Sequence, residues 1–460
     1  MGDSNSYIYN DYFIVSILLL LSLLARGFGF WDWPFHGDEF YTIKHSQGAI
    51  TTIKPGYYFL SKMMYANFGV HEWTARGPAL FFSIASVPAL YFTAKKFLNK
   101  EVAIYSVLIM LISEWHLYHS HFARFYSAVF FFGILSYFYY FSAVQSGKLK
   151  LLIYALIFNF FGIIFHTTFV VVPMSCFLFS ALALLGKGIK ISPSSRSIIK
   201  IHTGIAFASI LVAIPVAVKI LSKWQMMGQE WGYSGIGQLF QLVKYIGLVV
   251  FISGFFGLNL LLKDDIKKGL FLLISIISAI LFLIVFSLFT NVRPDYIFYS
   301  LPLFFVCSAY FCHKVRQCLN ENLILSHAMI LVVLASMLPG FVSYYSDRLT
   351  LDIRDVTKYI EEHHRPGDRV IPVIVGFENH SNLKTENLPR NAYINNIDWS
   401  ELLDTYKNDK GRVWIVVPLN RGAISSKLSN WLAYNANLVW QKQSKRIDYS
   451  LNGYQVFLKR

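Results

Sequence analysis

The 460-residue chain is 55% hydrophobic, with a mean hydropathy of +0.46 and a formal charge of +15. This composition excludes an ordinary soluble globular domain. Its Lys and Arg residues are scattered between apolar runs and form no compact basic face with interleaved aromatics, which argues against a nucleic-acid-binding module and for anionic lipid headgroups as their partners.

The opening MGDSNSYIYNDYF has no basic region, and the apolar run behind it ends in bulky aromatics instead of a small-residue cleavage site, so it is expected to remain a membrane helix. Runs long enough to cross a bilayer are predicted near 12–30, 74–94, 101–118, 125–145, 151–168, 169–186, 202–220, 242–262, 269–290, 296–312 and 323–343. These make eleven predicted spans, with FHTT at 165–168 the sole polar break between the fifth and sixth. The basic residues fix the expected orientation. With the N-terminus inside, Lys95, Lys96, Lys100, Lys148, Lys150, Lys187, Lys190, Arg196, Lys200, Lys263, Lys267, Lys268, Lys314 and Arg316 all fall in cytoplasmic connections. Cys176, Cys307 and Cys312 sit in apolar runs and Cys318 just beyond one; no CxxC pair argues for zinc or a disulfide framework.

Beyond residue 344 the pattern changes. DIRDVTKYIEEHH reads as an amphipathic helix stopped by the Pro-Gly of RPGD, RVIPVIV and RVWIVVP as strands, SKLSNWLAYNA as a helix and YQVFLK as a closing strand. A membrane domain over 1–344 and a small soluble α/β domain over 345–460 are therefore expected, the latter without a phosphate loop.

Polar residues concentrate where the chain should leave the membrane on the outer side. HGDEF places His36, Asp38 and Glu39 there, and the carboxylates can stay charged beside water where burial in lipid would cost several kcal/mol. One could approach a nucleophile while the other anchors the loop; the plain alternative is a solvated loop. KPGYYFLSKMM sets Lys54 and Tyr57 at the start of an amphipathic, interfacial segment, where a lysine either meets a lipid phosphate or simply snorkels. HLYHSHFARFYS gathers His116, His119, His121, Arg124 and Tyr126, with His121 and Arg124 on one side of a helical register. Its His-x-His spacing is compatible with a divalent metal, but no carboxylate completes a site, and no metal is assigned. NVRPDYIFYSLP adds Arg293, Asp295 and Tyr296 at another outer helix end, as an anion clamp or an interfacial anchor.

The order of HGDEF, KPGYY, EWTARGPALFF and SEWHLYHSHFARFY resembles the GT-C membrane glycosyltransferases that use polyprenyl-phosphate sugars, within the superfamily of protein O-mannosyltransferases and lipid A aminoarabinose transferases. The likeness is strongest over about 30–145. The family often has two prolines after its lysine where this chain has Pro55-Gly56, and some members have an acidic residue near Tyr126. The resemblance implies a polytopic α-helical GT-C fold and an inverting transfer of sugar from a polyprenyl-phosphate donor to a hydroxyl acceptor on a glycan, lipid or protein. It implies Asp38 as base with Glu39 in support, and Lys54, Arg124 and Arg293 on the donor phosphate. His36, Tyr57, His119, His121, Tyr126 and Tyr296 would line the substrate site, with no obligatory metal or other cofactor. The expected location is a bacterial or archaeal plasma membrane, with the site and the C-terminal domain outside. A transporter of lipid-linked substrates is the alternative, but it predicts paired internal repeats that the sequence does not display.

Overall fold

The computed structural model describes residues 3–31, 33–35, 38–50, 52, 54–185, 192–208, 233–319, 323–350, 352–373, 377, 381, 383, 385, 411–419, 426–445 and 451–459. The chain divides into two compact units, one comprising Met1–Phe30 with His45–Phe341, the other Trp31–Lys44 with Val342–Arg460.

The first unit is helical because no other local structure satisfies the backbone in hydrocarbon. It contains α1 (Asp3–Gly27), α3 (Gly56–Phe68), α4 (Glu72–Phe97), α5 (Lys100–Ile112), α6 (Glu114–Ser120), α7 (Tyr126–Ser146), α8 (Leu149–Phe165), α9 (Val171–Leu184) and α10 (193–208). It continues through α11 (Gly237–Ile246), α12 (Leu248–Asp264), α13 (Ile266–Ser287) and α14 (Leu301–Cys318) into α15 (Leu323–Thr350), which runs across the boundary between the units. α2 (Asp38–Gln47) crosses the earlier boundary in the same way.

Among the described residues, seven helices are long and apolar enough to cross a membrane, and nine if each of two bent pairs is one span. The protein is an integral membrane protein, but that count is below the eleven predicted spans. Four of the predicted runs account for the difference from seven. The run at 101–118 bends by 66° between α5 and α6, and the run at 242–262 bends by 97° between α11 and α12. Ser113 makes the first bend by capping α6, its hydroxyl accepting from His116 N at 3.3 Å. Gly247, at φ 93°, makes the second in a conformation that disfavours any side chain. The run at 151–168 contains α8, only 17 residues long, and 202–220 is helical to 208 with its remainder outside the described residues.

At one end of the bundle, connections are tied by paired charges. Arg316 and Glu101 form an ion pair, as do Lys95 and Asp11; Tyr310 donates to Asp264 at 2.6 Å, and Lys314 lies 3.1 Å from the same carboxylate. The opposite end carries the connections before α3, between α6 and α7, between α8 and α9, and before α14.

In the second unit a four-stranded sheet has the order β1-β2-β4-β3, formed by β1 (Arg369–Pro372), β2 (Val413–Pro418), β3 (Asn437–Lys445) and β4 (Leu451–Lys459). The β1–β2 pair is parallel and the other pairs are antiparallel. β2 explains the layering, because successive side chains alternate between faces. Trp414 and Val416 join Ile353, Val356 and Ile360 of α16 (Ile353–His363) on one face, while Val413, Ile415 and Val417 join Leu428, Trp431 and Leu432 of α17 (Ser426–Asn435) on the other. Among the described strands, β3 was absent from the sequence reading. It is an edge strand rich in Gln, Lys and Ser, and its pairing with β4 supplies what its composition does not announce.

Candidate functional site

Lys54, Arg124 and Arg293 come from three separate connections and meet one buried aromatic floor. Lys54 Nζ lies over the Phe125 ring, 4.5 Å from its centroid, and the Arg124 guanidinium lies 4.9 Å from the same centroid. Lys54 is brought there by Pro55-Gly56, which starts α3 against the end of α8. A Cβ on Gly56 would fall 2.8 Å from the Phe165 ring, so only glycine permits this approach. The pair thus has a packing role where the resembling family often uses two prolines.

Phe125 continues into the floor through His166 and Tyr126, at centroid separations of 4.4 and 4.7 Å. Tyr126 contacts His119 at 4.3 Å, and His166 contacts Tyr296 at 5.8 Å. His166 occupies the polar break between α8 and α9, its Nδ1 2.6 Å from the Thr168 hydroxyl, which donates to the Tyr296 carbonyl at 2.8 Å. Burial, reinforced by the Lys54 and Arg124 charges, holds His166 well below the ordinary histidine range, so it is a neutral imidazole at pH 7.

Arg293 enters from the other flank. Its guanidinium stands 2.7 Å from Asp295 Oδ2, while Asp295 Oδ1 accepts from Trp115 Nε1 at 2.8 Å and from His119 Nε2 at 2.9 Å. The Asp295 side chain is fully buried, and the Arg293 side chain keeps 30% exposure. The cations therefore sit at the half-exposed rim of a buried polar and aromatic base, an arrangement that can receive an anion while holding its donors in place.

Two sequence-derived candidates, His121 and Tyr57, are engaged in packing contacts instead. His121 and Arg124 do not share a helical face, because α6 ends at Ser120 and 121–125 is non-helical; His121 Nε2 instead lies 2.6 Å from the Arg26 carbonyl in a buried contact. The Tyr57 hydroxyl donates to the Ala75 carbonyl at 2.9 Å, fastening α3 to α4. Asp38 and Glu39 occupy the first turn of α2, where the helix dipole favours carboxylates; Asp38 is half-buried and Glu39 buried. His36 lies outside the described residues. Among the described residues no group of three or more His, Cys, Asp or Glu could hold a metal ion.

Phe125, His166 and Trp115 were given no site role from the sequence, and Asp295 was singled out beside Arg293 but without its partners. The first three read as apolar or break-forming positions, and Asp295 lies 176 residues from its His119 partner. A carboxylate at the start of an otherwise apolar run was the available signal for Asp295, since it needs partners there. Arg26 is another. Its Nε donates to Ser83 Oγ at 2.9 Å, its Nη2 to the Met110 carbonyl at 3.1 Å, and it reaches His116 Nδ1 at 2.9 Å, joining α1 to α4, α5 and α6.

A sequence profile of the dolichyl-phosphate-mannose-protein mannosyltransferases matches residues 52–218, a segment containing Lys54, Arg124, Tyr126 and His166. No curated protein sequence matches the chain. Among solved structures, ArnT from Cupriavidus metallidurans in the apo state is similar with a TM-score of 0.57 at 12% identity, over 99% of this chain and 98% of that one. The chain shares its fold with ArnT. The same protein bound to undecaprenyl phosphate gives 0.55 at 13% identity, covering 98% of each chain. The oligosaccharyltransferase of Archaeoglobus fulgidus in its apo form gives 0.57 at 11% identity, over 89% of this chain and 70% of that one.

Proposed function

We propose that the chain is a GT-C glycosyltransferase that moves a sugar from a polyprenyl-phosphate donor to a hydroxyl acceptor at the outer face of a bacterial or archaeal plasma membrane, with inversion. The observation that carries the reading is the gathering of Lys54, Arg124 and Arg293 around the floor of Phe125, Tyr126 and His119 at one end of membrane helices. Three cations beside lipid-facing helices suit a ligand that pairs a phosphate with a hydrocarbon tail. The full-length likeness to the fold of ArnT, which is known bound to undecaprenyl phosphate, supports the same choice. In this reading the C-terminal α/β domain over 345–460 faces outward, and the short α8 and the bent pairs α5–α6 and α11–α12 count as members of an eleven-span set.

The donor phosphate sits against Lys54, Arg124 and Arg293, with His119, Tyr126 and Tyr296 along the substrate site. Asp38 takes the proton of the acceptor hydroxyl while its oxygen attacks the anomeric carbon opposite the phosphate. The bond from that carbon to the phosphate oxygen breaks, and the bonding pair leaves with the phosphate. As negative charge grows on the leaving group, the cations bind it more strongly, which lowers the barrier. Glu39 supports the loop or the acceptor. A phosphate leaves without needing the proton an alcohol would, so the residues supply the reaction without a second carboxylic acid.

The test is incubation of purified protein with a panel of polyprenyl-phosphate sugars, following donor consumption by mass spectrometry with Asp38→Asn as control. Donor consumption abolished in the variant supports the reading. No consumption of any donor, together with no binding of polyprenyl phosphate, rejects it.

A further inference from the structure

Cations that stabilise a leaving phosphate create a second difficulty. The donor is a phosphodiester with a single negative charge, whereas the released polyprenyl monophosphate carries about −1.5 to −2 at pH 7. A clamp of unopposed cations would hold this product more tightly than the donor and slow its release.

Arg293 is built differently from an unopposed cation. Its guanidinium is 2.7 Å from Asp295 Oδ2, and Asp295 is held on its other oxygen by Trp115 and His119, at 2.8 and 2.9 Å. Those donors come from α6, while Arg293 and Asp295 flank Pro294 at the entry to a different span. The Asp295 side chain is fully buried and the Arg293 side chain keeps 30% exposure, so the pair has a fixed sense, its positive member on the more exposed side. Such a pair acts on an approaching phosphate as a dipole instead of a net charge. It attracts at hydrogen-bonding distance and its field falls off faster with separation than that of a lone cation.

We propose that Asp295 is the residue that limits the clamp's hold on the leaving phosphate, acting through Arg293 to keep polyprenyl monophosphate release fast. The proposal rests on the glycosyltransferase reading above. Asp295 touches no reacting atom in this scheme; it sets the strength of the residue that does.

The variant Asp295→Asn removes the charge while leaving an oxygen that can accept from Trp115 or His119. It is expected to bind undecaprenyl phosphate about tenfold more tightly than the parent protein, through the loss of one nearby opposing charge. Its kcat and donor KM are expected to fall together, because turnover becomes limited by release. A merely structural carboxylate would give the reverse, weaker binding and a higher KM. Binding equal to or weaker than the parent's in a folded Asp295→Asn protein overturns the proposal.

The double variant Arg293→Gln with Asp295→Asn removes the pair together, a change that buried ion pairs tolerate better than loss of one member. It is expected to keep undecaprenyl phosphate affinity within about threefold of the parent, because the two charges largely offset one another. An affinity as low as that of Arg293→Gln alone overturns the proposal even where Asp295→Asn does not fold. Failure of the parent protein both to bind undecaprenyl phosphate and to consume any donor strikes the underlying reading instead.

Discussion

Lys54 lies over the face of Phe125, 4.5 Å from the ring centroid, although 71 positions separate the two in the chain and Lys54 belongs to the interfacial segment before α3. The ring gives the lysine a preferred position without neutralising it, and Arg124 uses the same ring at 4.9 Å. A contact of this kind is worth about 0.5–2 kcal/mol. It orders two like charges that would otherwise separate.

Replacing Phe125 with Leu keeps an apolar side chain and removes the quadrupole. The expected result is a rise of about 3- to 10-fold in donor KM from the loss of cation placement. Thermal stability should change far less than for a truncation to alanine. A donor KM identical to the parent's would show that the ring does not place the cations.

Lys54→Ala removes one charge-assisted phosphate contact, worth about 1.5–3 kcal/mol, and should weaken donor binding about 10- to 100-fold. Direct titration of a polyprenyl-phosphate donor reads this. Unchanged affinity would take Lys54 out of the clamp.

Asp38→Asn should preserve the thermal unfolding midpoint in detergent and reduce glycosyl transfer by at least about 100-fold, the lower range for loss of a general base. Full transfer by correctly folded D38N protein would remove Asp38 as the base.

His166 gives a pH dependence with a definite sign. Burial, with Lys54 and Arg124, lowers its folded value well below the ordinary one. Its neutral form therefore contributes stability fully above the unfolded value, about 6.5, and loses it as pH falls from there towards the depressed folded value. The thermal midpoint should drop between about pH 6.5 and 5 in the parent protein, and by less in His166→Gln. Equal slopes would mean that His166 takes up its proton in the folded state.

Arg26→Met removes a buried cation from a network that includes Ser83, the Met110 carbonyl and His116. Breaking it should cost about 3–5 kcal/mol, seen as a large fall in unfolding temperature. A change near zero would show that the methionine repacks the gap without leaving those polar groups short of partners.

The sequence by itself determined the solvent and seven to nine of its eleven predicted spans, and it singled out the cations at their ends. In a chain so apolar, a charged residue at the end of a run stands out, because hydrocarbon does not tolerate it without a partner or water. Lys54, Arg124 and Arg293 were legible for that reason, and α16, β1, β2 and α17 were legible from helix and strand periodicity. The tertiary structure decided what lies beneath the rim. Phe125, His166 and Trp115 look like packing residues until distant segments bring cations and carboxylates to them. Asp295 gains its meaning only beside Trp115 and His119, from which it is separated by 180 and 176 positions. His121, equally suggestive in sequence, turns instead to the Arg26 carbonyl because the helix stops at Ser120. Local pattern reports what a residue can tolerate, whereas its partners depend on which helix ends the fold brings together.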